Sequence, residues 1–137
     1  MKIKIDFFQS DNSFLDAIGA GVYEVEICTK DGEKSVYIGE SVFVLVRCAT
    51  HLYELERNPV YWGFKPEWLN DPNITLKFKL HKLDDGKDKN KKADRKIYET
   101  YLIKKNQPTS QSGIADRQKS IEDRISALAK FLEKQEG

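Results

Sequence analysis

The sequence predicts an α+β domain of α/β-sandwich character: a small antiparallel three-stranded sheet flanked by helices, with an extra N-terminal strand and a C-terminal helix. Three observations predict it. Val22–Thr29 and Ser35–Gly39 are rich in Val, Ile and Tyr and are joined across Asp31-Gly32, a hairpin dipeptide. Ile74, Leu76, Phe78 and Leu80 alternate with Thr75, Lys77, Lys79 and His81, the period of a strand with one face buried. Between these strands, Val42, Leu45, Val46, Ala49, Leu52 and Tyr53 recur at helical spacing.

Taken in order, Lys2-Ile3-Lys4-Ile5-Asp6-Phe7 alternates with period two and is the extra strand. Asn12 and Ser13 precede Phe14, Leu15, Ala17 and Ile18, the pattern of a short capped helix that ends in Gly19-Ala20-Gly21. The hairpin follows, with Tyr23 and Tyr37 on its two strands. Val42–Val46 would read as a strand on β-branching alone. The longer stripe instead predicts a helix over 42–57, with Ser41 as N-cap and Asn58-Pro59 closing it. On that reading the apolar stripe faces the core, and Arg47, His51 and Glu54 fall on another face.

Tyr61–Asp71 holds Trp62, Trp68, Gly63 and Pro66 and reads as an aromatic loop packed on the body, or alternatively as a base-stacking surface. His81, at the end of the 74–81 strand, reads as solvent-facing. Asp84–Lys96 carries six basic and four acidic residues and reads as a solvated loop whose basic half could meet a phosphate backbone. A helix with Ile97, Tyr98, Tyr101 and Leu102 apolar, and Glu99 at the edge of that face, stops near Asn106–Pro108. After a Ser/Gln/Gly linker, Ser120 and Asp123 open a last amphipathic helix, with Ile121, Ile125, Leu128 and Leu132 on one stripe. The stripe either docks on the domain or pairs with a partner helix, so the 120–135 segment is a candidate surface for a homodimer or a protein partner.

Composition bounds the function classes. At 137 residues the chain (1–137) reads as one domain, with the 114–137 helix appended. Lys+Arg 23 against Asp+Glu 22 leaves a net charge of +1, so any face for DNA must be a local patch. Cys28 and Cys48 form no CxxC and the chain has only two His, which argues against zinc and for reduced thiols. No leader-like segment and no apolar run near 20 residues is seen, so no membrane is expected and the default compartment is cytoplasmic.

Gly21-Val22-Tyr23, Tyr37-Ile38-Gly39, Arg47, His51 and Glu99 together resemble the GIY-YIG nuclease superfamily. The resemblance covers roughly residues 20–110. In that family an arginine follows the YIG glycine by about eight positions, and Arg47 follows Gly39 by eight. A histidine one helical turn further is common in several branches, and a later helix supplies one glutamate, where Ile97–Ile103 stands here. The family also has an asparagine shortly after a downstream proline. Pro108 is followed instead by Thr109, Ser110 and Gln111, which offers Ser110 or Gln111.

The resemblance implies metal-dependent hydrolysis of DNA phosphodiesters. Glu99 would hold a single Mg²⁺ (or Mn²⁺) whose other ligands are water and substrate. Arg47 would clamp the phosphate with its planar, permanently charged fork, and His51 would touch the same phosphate or relay a proton. Tyr23 would be the general base and Tyr37 its hydrogen-bonded neighbour, although the two roles can be exchanged. Gly39 would allow close approach of substrate or backbone, and Ser110, Lys77 and Lys79 would contact substrate. The competing class is a module that keeps the fold, cuts weakly or not at all, and binds DNA or a protein.

Overall fold

The computed structural model describes residues 1–111 and 125–134. Its elements are β1 (Lys4–Phe7), β2 (Gly21–Thr29), β3 (Gly32–Ser41), α1 (Val44–Arg57), a 3₁₀ turn (Pro66–Asn70), β4 (Thr75–His81) and α2 (Lys92–Asn106). They form a mixed four-stranded sheet in the order β1-β4-β2-β3, with β1 parallel to β4 and the other pairs antiparallel. The expected three-stranded antiparallel core is therefore present, and the extra N-terminal strand completes it as a parallel edge.

Alternation along β2 divides the sheet into two unlike faces. Tyr23, Val25 and Ile27 look one way, together with Leu76 and Phe78 of β4, and pack with Val44, Cys48 and Leu55 of α1. Val22 and Ile38 look the other way and pack with Leu102, Tyr98 and Ile103 of α2. One helix thus covers each face, which matches the sandwich character predicted from sequence.

Several expectations are corrected. The hairpin turn is centred on Lys30-Asp31, because Thr29 pairs with Gly32 and only Gly32 takes a positive φ, +123°. The 12–18 segment forms turns rather than a helix: one helical bond, from the Ala17 N–H to the Ser13 carbonyl at 3.0 Å, forms, but the Ala17 carbonyl accepts from the Leu45 N–H and the chain leaves through Gly19 at φ +143°. Ser41 ends β3 instead of capping α1, although its hydroxyl accepts from the Phe43 N–H. His81 Nε2 lies within hydrogen-bond distance of Glu24, at 2.7 Å, and the side chain is only partly exposed, not simply facing solvent.

The face that α1 buries is also corrected. The buried residues are Val44, Arg47, Cys48, His51 and Leu55, whereas Ala49 and Tyr53 of the expected stripe are exposed. Both faces of this helix carry apolar groups, so periodicity alone does not rank them. The inward face is the one whose polar groups find partners in the phenols of the sheet. In α2, likewise, Ile97 and Tyr101 point outward while Arg95 and Leu102 are buried.

The 61–71 segment packs on the body as expected: Tyr61, Trp62, Phe64 and Leu69 join the core, and Trp62 stacks on Tyr37 at 6.4 Å. A buried Trp62 offers no face to a base. Residues 125–134 are helical, with Ile125 buried and Leu128, Phe131 and Leu132 exposed. Ser120, Ile121 and Asp123 lie outside the described residues, and with them the start of the expected partner surface. Among the described residues no helix is long and apolar enough to cross a membrane.

Candidate active site

The hairpin register places Tyr23 directly opposite Gly39 and Val25 opposite Tyr37. Tyr23 and Tyr37 therefore share the α1 face, with ring centroids 6.2 Å apart. Gly39 leaves the space that the Tyr23 ring occupies. A Cβ there would lie 2.6 Å from Cζ and 3.0 Å from Cε1 of Tyr23, and closer still to its hydroxyl. The close approach foreseen at Gly39 is thus made by Tyr23 itself.

One turn apart on α1, Arg47 and His51 come down onto these rings. The Tyr23 hydroxyl lies 2.7 Å from His51 Nε2, and His51 Nδ1 lies 3.3 Å from the Tyr61 hydroxyl. Arg47 donates a hydrogen bond to the Tyr37 hydroxyl. Tyr23 and His51 are fully buried, with Tyr37 and Arg47 nearly so.

Burial sets the charge states. It pushes the Tyr23 phenol well above its ordinary range, with help from Tyr37, against a smaller opposing pull from Arg47. Tyr37 is raised to about 12 by burial, and Arg47 opposes this too. Burial, then the Arg47 charge, drives His51 well below the usual imidazole value, so the ring is neutral. At rest the pocket is a set of neutral phenols and imidazole around one guanidinium.

Glu99 reaches the same region from α2, on the other side of the sheet. Because β3 is an edge strand, groups from the two helices can meet around it. Burial raises the Glu99 carboxyl, with Lys96 opposing, Glu40 reinforcing and Arg47 again opposing. Its side chain is 15% exposed, the most solvent-accessible group of the set. Lys96 Nζ stands 3.4 Å from Glu99 and 3.6 Å from Glu40.

What holds α2 in place was not apparent from sequence. Arg95, inside the charged run read as a solvated loop, is 2% exposed; it donates to Glu40 at 2.7 Å and to the Lys89 carbonyl at 3.0 Å. Glu40 and Tyr61 also escaped the sequence reading. The only signal for either was proximity, Glu40 next to Gly39 and Tyr61 in an aromatic cluster.

The structure brings Tyr23, Tyr37, Arg47 and His51 together with Glu99 nearby. Lys77 and Lys79 go elsewhere. They project from the α2 face of β4 and pair with carboxylates, Lys79 with Glu26 at 2.8 Å and Lys77 with Glu33 at 4.0 Å. Ser110 holds the chain along β3: its N–H donates to the Val36 carbonyl at 2.9 Å and its hydroxyl to the Trp62 carbonyl at 2.6 Å. Gln111 acts like one more strand residue, its amide accepting from the Ile38 N–H at 3.0 Å and donating to the Ile38 carbonyl at 2.9 Å.

Glu99 is the carboxylate that would hold a hard divalent ion, with water completing most of the shell, since Glu40 is already paired with Arg95 at 2.7 Å. The exposed Lys96 ammonium is the flexible group such an ion would displace. Among the described residues there is no group of three or more His, Cys, Asp or Glu that could hold a metal. No family model, no curated protein and no solved structure matches the chain.

Proposed function

We propose that this chain is a GIY-YIG-type, metal-dependent endonuclease acting on DNA phosphodiesters. The observation that carries the reading is the pairing of Tyr23 with His51 at 2.7 Å beside Arg47, with Glu99 close enough to feel the Arg47 charge. Arg47 binds the scissile phosphate and offsets charge developing on its oxygens. Tyr23 takes the proton of the attacking water, with Tyr37 alongside. Glu99 would hold the divalent ion, which would supply Lewis-acid charge to the phosphate. Since Tyr23 is fully buried, substrate binding must uncover it.

The lack of a larger ligand cluster among the described residues favours a second reading over this one: a module of this fold that binds DNA or a protein partner and cuts weakly or not at all. It is also favoured by the sealed position of Tyr23 and His51 and by Lys96 standing between Glu40 and Glu99. Supercoiled plasmid and branched DNA, incubated with Mg²⁺, Mn²⁺ or chelator, separate the two. Metal-dependent nicking that falls at least about 100-fold in Glu99→Gln and Tyr23→Phe supports the nuclease. DNA binding with no cleavage under either metal leaves the binding module.

A further inference from the structure

Tyr61 is outside the set of residues that the resemblance supplies, yet its hydroxyl touches His51 on the side opposite Tyr23. The imidazole is thus held between two phenols, 2.7 Å from one at Nε2 and 3.3 Å from the other at Nδ1. A neutral imidazole has one N–H and one lone pair, so the proton's location on the ring fixes the direction of both bonds. The two lengths point to one arrangement. Between O–H and N–H donors to oxygen the O–H bond is on average the shorter, about 2.7–2.8 Å against about 2.9–3.0 Å, and the shorter of the two contacts here is the one at Tyr23. The short contact then has the Tyr23 O–H donating to Nε2, and the long one has Nδ1–H donating to the Tyr61 oxygen.

We infer that Tyr61 is a positioning residue that holds His51 in its Nδ1–H tautomer and so leaves Nε2 free to take the proton of Tyr23. The inference deepens the proposed nuclease reading and rests on it for any effect on rate; the tautomer itself does not depend on cleavage. In the reaction, the Tyr23 O–H bond breaks as Nε2–H forms, and a water O–H bond breaks as the Tyr23 oxygen regains a proton. The hydroxide so formed bonds to phosphorus, and the 3′-oxygen leaves and takes a proton from solvent. His51, now imidazolium, returns its proton to solvent after the product departs. Tyr23 never carries a full charge, which suits a pocket where burial disfavours a free phenolate. Burial and, to a smaller extent, the Arg47 charge oppose an imidazolium in the resting protein; a phosphate bound on Arg47 offsets the second, and the uncovering of the site by substrate eases the first.

The test is ¹⁵N NMR of the histidine rings in the full chain, with His81 assigned through its loss in His81→Gln. Wild-type His51 is expected to carry its proton on Nδ1 at neutral pH, and Tyr61→Phe is expected to move it wholly or partly to Nε2. Where the wild type cleaves DNA, Tyr61→Phe should lower kcat about 10-fold with KM little changed, in line with other orienting partners. A wild-type ring protonated on Nε2 overturns the inference even if cleavage is robust, as does a tautomer or a kcat that Tyr61→Phe leaves unchanged. A ring protonated on Nδ1 that shifts in Tyr61→Phe upholds it even if no DNA is cut, and then only the nuclease reading fails. Should Tyr61→Phe not fold, the wild-type tautomer alone decides.

Discussion

Gly39→Ala puts the central packing claim at risk, because two physical effects predict opposite signs. Gly39 does not have a φ in the left-handed region. By backbone entropy alone, alanine there would stabilise the protein by about 0.4–1 kcal/mol. The tertiary structure says otherwise. The new Cβ would lie 2.6 Å from Tyr23 Cζ, about 1 Å inside ordinary carbon contact. Tyr23 is fully buried and its hydroxyl is 2.7 Å from His51, so the ring has no free direction to retreat. Overpacking costs about 1–3 kcal/mol, and stretching the buried Tyr23–His51 bond adds about 1–3 kcal/mol. After the entropy gain, a net loss of about 3 kcal/mol is expected. For a chain of this size that corresponds to a Tm lower by roughly 10 °C. Urea unfolding followed by circular dichroism measures it. In a Tyr23→Leu background, where the clashing ring is gone, Gly39→Ala should cost about 1 kcal/mol or less. A Gly39→Ala protein that is as stable as wild type, or more stable, refutes the account of why glycine stands there.

Two further predictions concern buried charge. Glu24 is 1% exposed; burial alone would raise its carboxyl, but hydrogen bonds from His81 and Ser35 and the charge of Lys79 outweigh it and hold the group at about 2 against 4.5. A depressed acid stabilises above its unfolded value and loses that contribution as pH falls through its folded value. Wild type should therefore lose up to about 3 kcal/mol more than Glu24→Gln between pH 5 and 2, and parallel stability–pH curves for the two proteins would exclude the network. Arg95→Met should cost about 3 kcal/mol by leaving Glu40 buried without its main partner, while the double change Arg95→Met with Glu40→Met should cost much less; equal losses in chemical denaturation would show that the pair is not coupled.

Much of the fold was legible in the chain. Asp31-Gly32 between two β-rich runs marked the hairpin, and strict alternation marked 74–81 as a strand. The helical stripe, set against β-branched residues, identified the helix that became α1. These signals are local: they report which backbone conformation a short stretch prefers. The parallel edge pairing of β1 was not local and could not be read.

The candidate site divides along the same line. The sequence by itself determined which side chains were in play: Tyr23 and Tyr37 on paired strands, Arg47 and His51 one turn apart, Glu99 on a later helix. Only the tertiary structure decided that α1 turns Arg47 and His51 inward rather than its Ala49–Tyr53 side. It also decided that Lys77 and Lys79 stand on the far face of the sheet, and that Arg95 leaves a charged run to become one of the most buried side chains. The reason is common to all three. Burying a polar or charged group is costly unless a partner waits for it, and the partners here, the Tyr23 phenol, Glu26 and Glu40, come from other segments of the chain. Periodicity shows where a side chain can point; only the assembled fold shows what meets it there.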